Sequence, residues 1–299
     1  MSSVAVTAKA QPLTTSAKSR SLYSDAARRF RRNRVALAGL IVIVLLILVA
    51  IFSPLLALHD PTHQYLNHRL EGPNAIFPLG TDNLGRDIYS RILYGSRISL
   101  PTGLIAVGIA LLIGVPIGTM AGYFGKWTDT ILMRGCDVIL AFPSILFAIW
   151  LISIFGSNLR NVMIAVGLFS VPGFARVVRS AILAARESDY ITAERAIGAG
   201  TGRILVRHIL PNVIQPVIIL ASLRVASAIL AAAGLSFLGL GIQPPTPEWG
   251  AMLSEGRAYL TLAWWVAFFP GLAIMITVLA TNMVGDGLRD ALDPRQQGR

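Results

Sequence analysis

From Val35 to Leu58 the chain runs without one charged side chain. At about 1.5 Å per residue, such a helix spans about 30 Å of hydrocarbon. Five further apolar stretches follow, at Ile98–Tyr123, Asp137–Phe155, Val162–Leu183, Val213–Leu235 and Leu262–Val284. None alternates polar and apolar positions as a porin strand does. The expectation is an all-α integral membrane protein with six transmembrane helices. Composition agrees: 54% of residues are hydrophobic and only 14% charged, too apolar a balance for a soluble domain of this length. A signal peptide also has a basic start and an apolar core, but this core is too long and no small-x-small cleavage site follows it.

Six helices place both termini on one side, and the distribution of charge says which. Of 26 Lys and Arg, 19 fall in segments on the side of the termini and six on the other, with Arg224 inside a span. Basic residues collect in cytoplasmic loops, so both termini are expected in the cytoplasm. The net charge of +11 is then a topology signal, and nucleic-acid binding is excluded as its cause. Cys136 is the only cysteine, which excludes an intramolecular disulfide. His59, His63, His68 and His208 form no metal-ligand pair of recognisable spacing.

The expected organisation is a basic cytoplasmic tail at 1–34, then a first span and an external segment at 35–97. A five-helix core at 98–289 carries a cytoplasmic loop at 184–212, and a cytoplasmic tail closes the chain at 290–299. Pro61, Pro73, Pro78, Gly80 and Gly85 suit turns in the first external segment. Pro244, Pro245 and Pro247 forbid a continuous helix through 239–261.

The loop at 184–212 is the densest in signals. Tyr190–Ile197 suits a short helix with Asp189 at its N-cap, leaving a narrow face of Ala193, Ala196 and Ile197 for a partner. Gly198, Gly200 and Gly202 suit its end and a sharp turn. Arg203–Leu210 resumes a helical pattern, and Pro211 suits the first turn of the next span.

This pattern resembles the "EAA" loop of the membrane subunits of ATP-binding-cassette importers: Glu-Ala-Ala, three residues, Gly, nine residues, then Ile-x-Leu-Pro. The triplet falls on Thr192, Ala193 and Glu194, the glycine on Gly198 and the ending on Leu210 and Pro211. Thr192 stands where the motif has its acid, Glu194 where it has its second alanine, and His208 where it has isoleucine. Three more stretches, Pro78–Arg91 with Leu93–Leu100, Leu235–Met252 and Met283–Pro294, resemble the dipeptide/oligopeptide/nickel permease family, in its C-type subunit. That family includes dipeptide, oligopeptide, glutathione and nickel systems.

The resemblance implies a type I importer permease fold and a heterodimer with a second, non-identical permease in the cell membrane. It also implies cytoplasmic ATPase subunits and an extracytoplasmic substrate-binding protein. No Gly-x-x-x-x-Gly-Lys-[ST] occurs, so the chain is expected to be no enzyme and to carry no cofactor, ATP and Mg being held by the ATPases. The implied coupling residues are Tyr190, Thr192, Ala193, Glu194, Gly198, Leu210 and Pro211, on a helix that moves as a lever and drives alternating access.

Arg224 lies midway along its span, where a charge is expensive and is expected to face the bundle interior or a wet cavity. It is the candidate for the substrate pathway, favouring anionic peptides; a structural cation is the rival reading. Pro101, Pro116, Pro143, Pro172, Pro216 and Pro270 in or beside the spans read either as kinks or as hinges. Gly114, Gly118 and Gly122 form a small-xxx-small ladder suited to close packing, internal or between permeases. Asp137, Asp286 and Asp290 read as solvated or surface-paired, with Arg134 and Arg289 as neighbours. Trp249, Trp264 and Trp265 suit an interfacial belt, with Trp249 beside Glu248 alternatively shaping an external mouth. An ion-driven secondary transporter would need intramembrane Asp, Glu or His for coupling, and the span centres have none. An intramembrane protease would need a Ser/His or paired-Asp constellation that is likewise missing.

Overall fold

Each long apolar stretch is a helix, because a backbone in hydrocarbon must satisfy its own hydrogen bonds. The computed structural model describes residues 22–292, apart from the side chains of residues 22–25, 195 and 212. Residues 1–21 and 293–299, which hold most of the two expected tails, lie outside the described residues. The helices are α1 (Leu22–Arg32), α2 (Arg34–Leu56), α3 (Ile88–Phe124), α4 (Lys126–Leu140), α5 (Ser144–Phe155), α6 (Leu159–Arg186), α7 (Asp189–Ala196), α8 (Thr201–Arg203), α9 (Leu210–Phe237), α10 (Trp249–Gly256) and α11 (Trp265–Leu292). A π-helical segment, Ile204–Ile209, joins α8 to α9.

Five helices (α2, α3, α6, α9 and α11) are long and apolar enough to cross a membrane. The expected third span, Asp137–Phe155, is not one straight helix: α4 and α5 meet at 93°. Pro143 causes the break. Its ring pushes Phe142 out of the helical region, and Pro143 itself is extended (φ −58°, ψ 135°) ahead of Ser144. By contrast, α3, α6, α9 and α11 run on through Pro101, Pro116, Pro172, Pro216 and Pro270.

The second span also begins earlier than expected. Asp87 caps α3 by accepting from the amides of Tyr89 (3.3 Å) and Ser90 (3.1 Å), so Ile88–Arg97 is helix rather than external turn. The polar side chains of Ser90, Arg91 and Ser96 on that added length are buried in protein, which is why hydropathy did not mark it.

Packing is closest where glycines remove side chains. A Cβ at Gly114 would sit 2.8 Å from Phe174 Cβ, and one at Gly122 would sit 3.0 Å from the Arg179 carbonyl oxygen. Gly118 presses in the same way on Ala175 and Val178. The glycine ladder is therefore an internal seam between α3 and α6, where backbones approach closely enough for dispersion to hold them. The main apolar core joins α3, α5, α6 and α9, and extends through Ile182, Ile191, Ile204 and Ile209 into the loop at 184–212.

Candidate functional site

The loop at 184–212 is built from a buried anchor and an exposed face. Among the described side chains of α7, Ile191 alone is fully buried (0% exposed), in the same cluster as Ile182, Ile204 and Ile209. Thr192, Ala193 and Ala196 are exposed, Tyr190 is largely so, and Ile197 is 80% exposed. A short helix is thus pinned by one isoleucine while its small residues face outward.

Gly198 ends α7 with φ +83°. The Ala199 amide donates to the Glu194 carbonyl (3.0 Å) and the Ile197 amide to that of Ala193 (3.2 Å), a Schellman-type end that needs a left-handed residue. Nothing lies within 4 Å of a Cβ built there, so the backbone alone demands glycine. Gly200 caps the next helix and Gly202 lies inside α8; Gly202 is therefore not part of the turn it was expected to make.

The resumed helical pattern at Arg203–Leu210 is wound as π-helix, with the Leu210 amide donating to the Leu205 carbonyl. Pro211 explains it: a proline ring clashes with the carbonyl four residues back and offers it no N–H, and a wider turn relieves both. Leu210 is half-buried and Pro211 exposed at the start of α9. Two of the three motif departures, Glu194 and His208, come together across the glycine turn, with Glu194 Oε1 3.4 Å from His208 Nε2. Glu194 therefore turns toward its own chain, away from the exposed face of Ala193 and Ala196.

Arg224 lies 14 residues beyond Leu210 on α9, about 20 Å along the helix. It does not point into the chain's own core. The side chain is exposed, with Nη2 3.5 Å from where a Cβ on Gly173 would sit, at the middle of α6. Among the described residues, no carboxylate is within ion-pair distance of it. It is also not among the residues of the apolar groove of about 650 Å³ between α9, α10 and α11, lined by Leu230, Phe237, Leu253, Met275 and Asn282.

On the opposite end, sequence reasoning missed a buried ionic cluster. Arg86 (1% exposed) donates from Nε to Asp82 (2.6 Å) and from Nη2 to Glu255 of α10 (2.7 Å). Arg91 (2% exposed) reaches Glu255 from Nη2 (3.5 Å) and the carbonyls of Pro61 and Pro245 from Nη1 (3.3 Å each). The i, i+4 spacing of Asp82 and Arg86 was its one local signal.

Trp249 is buried, its Nε1 donating to the Ile92 carbonyl (3.0 Å). Glu248 accepts from the amides of Gly250 (3.0 Å) and Ala251 (2.8 Å) and from Ser99 Oγ (3.1 Å). Trp249 is thus a packing anchor that shapes neither an interfacial belt nor a mouth. Trp264 is exposed and Trp265 donates to the Thr81 carbonyl (3.2 Å).

Between α4 and α6, Asp137 pairs with Arg176 (2.6 Å) rather than Arg134, and Asp129 takes a two-pronged bond from Arg179 (2.5 and 2.6 Å). Asp286 and Asp290 are exposed. Among the described residues, no group of three or more His, Cys, Asp or Glu is placed to hold a metal ion.

A pinned helix with an exposed face and a π-wound root thus leads directly into a long span. Residues 114–298 match the family described as binding-protein-dependent transport system inner membrane component, and residues 21–73 match the N-terminal TM domain of oligopeptide transport permease C. The chain belongs to this permease family.

Among its relatives are the dipeptide transport system permease protein DppC of Alkalihalophilus pseudofirmus and the glutathione transport system permease protein GsiD of Pectobacterium atrosepticum. The first is 48% identical and covers 92% of this chain and 90% of the relative; the second is 49% identical and covers 90% and 89%. An inward-facing structure of the MetNI methionine ABC transporter shares the fold, with a TM-score of 0.56 at 18% identity over 69% of this chain and 98% of that one. The chain is a multi-pass inner membrane permease subunit of an ATP-binding-cassette importer. ATP hydrolysis belongs to separate subunits of such systems, which also include a substrate-binding protein and typically a second permease.

Proposed function

We propose that this permease is the C-type subunit of an importer of di- and oligopeptides, anionic ones such as glutathione included. It crosses the membrane six times, with the bent α4–α5 pair as one broken span and both termini in the cytoplasm. The observation that carries the substrate class is the match, along nine-tenths of the chain, to permeases named for dipeptide and for glutathione transport. The 19-to-6 division of basic residues supports the orientation.

In this reading α7 receives the ATPase. Tyr190, Thr192 and Ala193 form the contact face, Gly198 sets the turn, and Leu210 and Pro211 form the root through which movement of α7 reaches α9. Glu194 serves the loop internally, through His208. Arg224 supports a substrate role because an exposed, unpaired guanidinium at mid-span costs about 2.5–3.5 kcal/mol against lipid. That cost falls away where the same face meets the second permease across a wet path. A peptide carboxylate matches a guanidinium in both charge and hydrogen-bond geometry.

Uptake by the reconstituted importer tests this, using acidic and neutral dipeptides with Arg224→Ala and Arg224→Lys. Selective loss of the acidic substrate with Ala, partly restored with Lys, is the expected result. Equal losses of both peptides make Arg224 structural. Failure of the unmutated importer to take up any peptide with ATP contradicts the substrate class.

A further inference from the structure

The short helix before the first span has no role in the account so far. α1 ends at Arg32, and α2, a span, begins at Arg34. Asn33 between them is extended (φ −79°, ψ 102°) and caps α2 by accepting from the amides of Val35 and Ala36, both at 3.1 Å. The helical run is therefore broken at Asn33, and α1 lies immediately before the first span.

Which side of α1 faces the protein follows from its period. Ala26, Arg29, Phe30 and Asn33 are half-buried, at i, i+3, i+4 and i+7, while Ala27, Arg28, Arg31 and Arg32 are exposed. Phe30 holds the inner side against the end of α11, its ring edge 3.4 Å from where a Cβ on Gly287 would sit. Arg31 and Arg32 are thus aimed away from the bundle, with exposed Arg34 beside them. Asp286 and Asp290 on α11 are exposed too, and among the described residues neither forms an ion pair with these arginines.

We infer that Arg31, Arg32 and Arg34 form a docking surface for the phosphate groups of anionic phospholipids, with α1 held against α11 as its rigid mount. Guanidinium forks match phosphate oxygens two bonds at a time. A basic cluster beside a membrane helix draws anionic headgroups, each residue adding about fivefold to the attraction. The inference stands on the position of α1 beside a span and is independent of the substrate.

The assembled importer, purified in detergent with its ATPase and titrated with phosphatidylglycerol or phosphatidylcholine, tests this by native mass spectrometry of retained lipid. Unmutated protein retains phosphatidylglycerol at lower concentration than phosphatidylcholine. R31Q/R32Q weakens that retention by about tenfold or more, R31K/R32K keeps most of it, and R97Q/R160Q, which removes two exposed charges elsewhere, leaves it unchanged. Equal retention of the two lipids by unmutated protein overturns the inference. Equal loss in R97Q/R160Q overturns it as well. Unchanged phosphatidylglycerol retention in R31Q/R32Q, together with loss of the copurifying ATPase, assigns the arginines to a protein partner instead.

Discussion

The buried ionic cluster around Arg86 and the loop at 189–211 solve opposite problems. Around Arg86 and Arg91 the chain buries two guanidiniums and answers them with Asp82, Glu255 and two backbone carbonyls of its own. At 189–211 it does the reverse, burying Ile191 and leaving Ala193, Ala196, Ile197 and Val206 exposed around a glycine turn. The first region pairs its charges within the chain, all but the buried Arg86 Nη1, and holds α10 against the start of α3. A region that leaves apolar surface open needs a partner to cover it. One end of the permease is closed on itself and the other is left open, as the proposed docking of a separate ATPase requires.

Removing one member of the ionic cluster gives the largest expected effect. Arg86→Ala strips Asp82 of its 2.6 Å partner and leaves it only the longer approach of Arg91 Nε at 3.7 Å, and breaking such a buried pair costs about 3–5 kcal/mol. Thermal unfolding in detergent is expected to drop steeply, along with the amount of inserted protein. An unfolding temperature equal to that of unmutated protein contradicts the view that the cluster locks this end.

The α3–α6 seam comes next. Gly118→Leu forces side-chain atoms into the backbone of Ala175, and overpacking costs about 1–3 kcal/mol. Lower stability together with lost uptake is expected, with Gly108→Leu, where a Cβ meets nothing within 4 Å, as the tolerated comparison.

Gly198→Val separates coupling from folding. A β-branched residue at φ +83° is strained by about 1–3 kcal/mol, all of it local to the turn. Insertion and unfolding temperature are expected to stay near normal while ATP-driven uptake falls about tenfold or more. The smallest effect is expected from Glu194→Gln, which loosens a half-exposed pair with His208 worth at most about 1 kcal/mol. Uptake well above that of Gly198→Val is expected. Complete loss with Gln would move Glu194 to the ATPase contact itself.

How far the sequence reached depended on whether a feature is local. Apolar length marked α2, α6 and α9 to within a few residues, while α11 runs eight residues past its expected end at Val284, and the Gly198 turn was legible because glycine tolerates its left-handed backbone. The start of α3 was hidden because Ser90, Arg91 and Ser96 look solvent-bound and are instead enclosed by protein. Pro143 could not be told from the five prolines that helices absorb, since the outcome depends on what packs beside each. The contact of Arg86 with Glu255 joins residues 169 apart, and the approach of Glu194 to His208 depends on a turn and a π-wound root. Neither distance is written in spacing.

The central claim is that the outward face of α7 is the seat of the ATPase. Site-directed crosslinking tests it most directly, in a Cys136→Ala background of the assembled importer, with Ala196→Cys on α7 and cysteines scanned over the ATPase surface facing the membrane. The account predicts a strong crosslink from Ala196→Cys whose yield changes when ATP is bound, and none from Ala27→Cys on α1. A crosslink absent from Ala196→Cys but present at Ala27→Cys would place the ATPase elsewhere and contradict it.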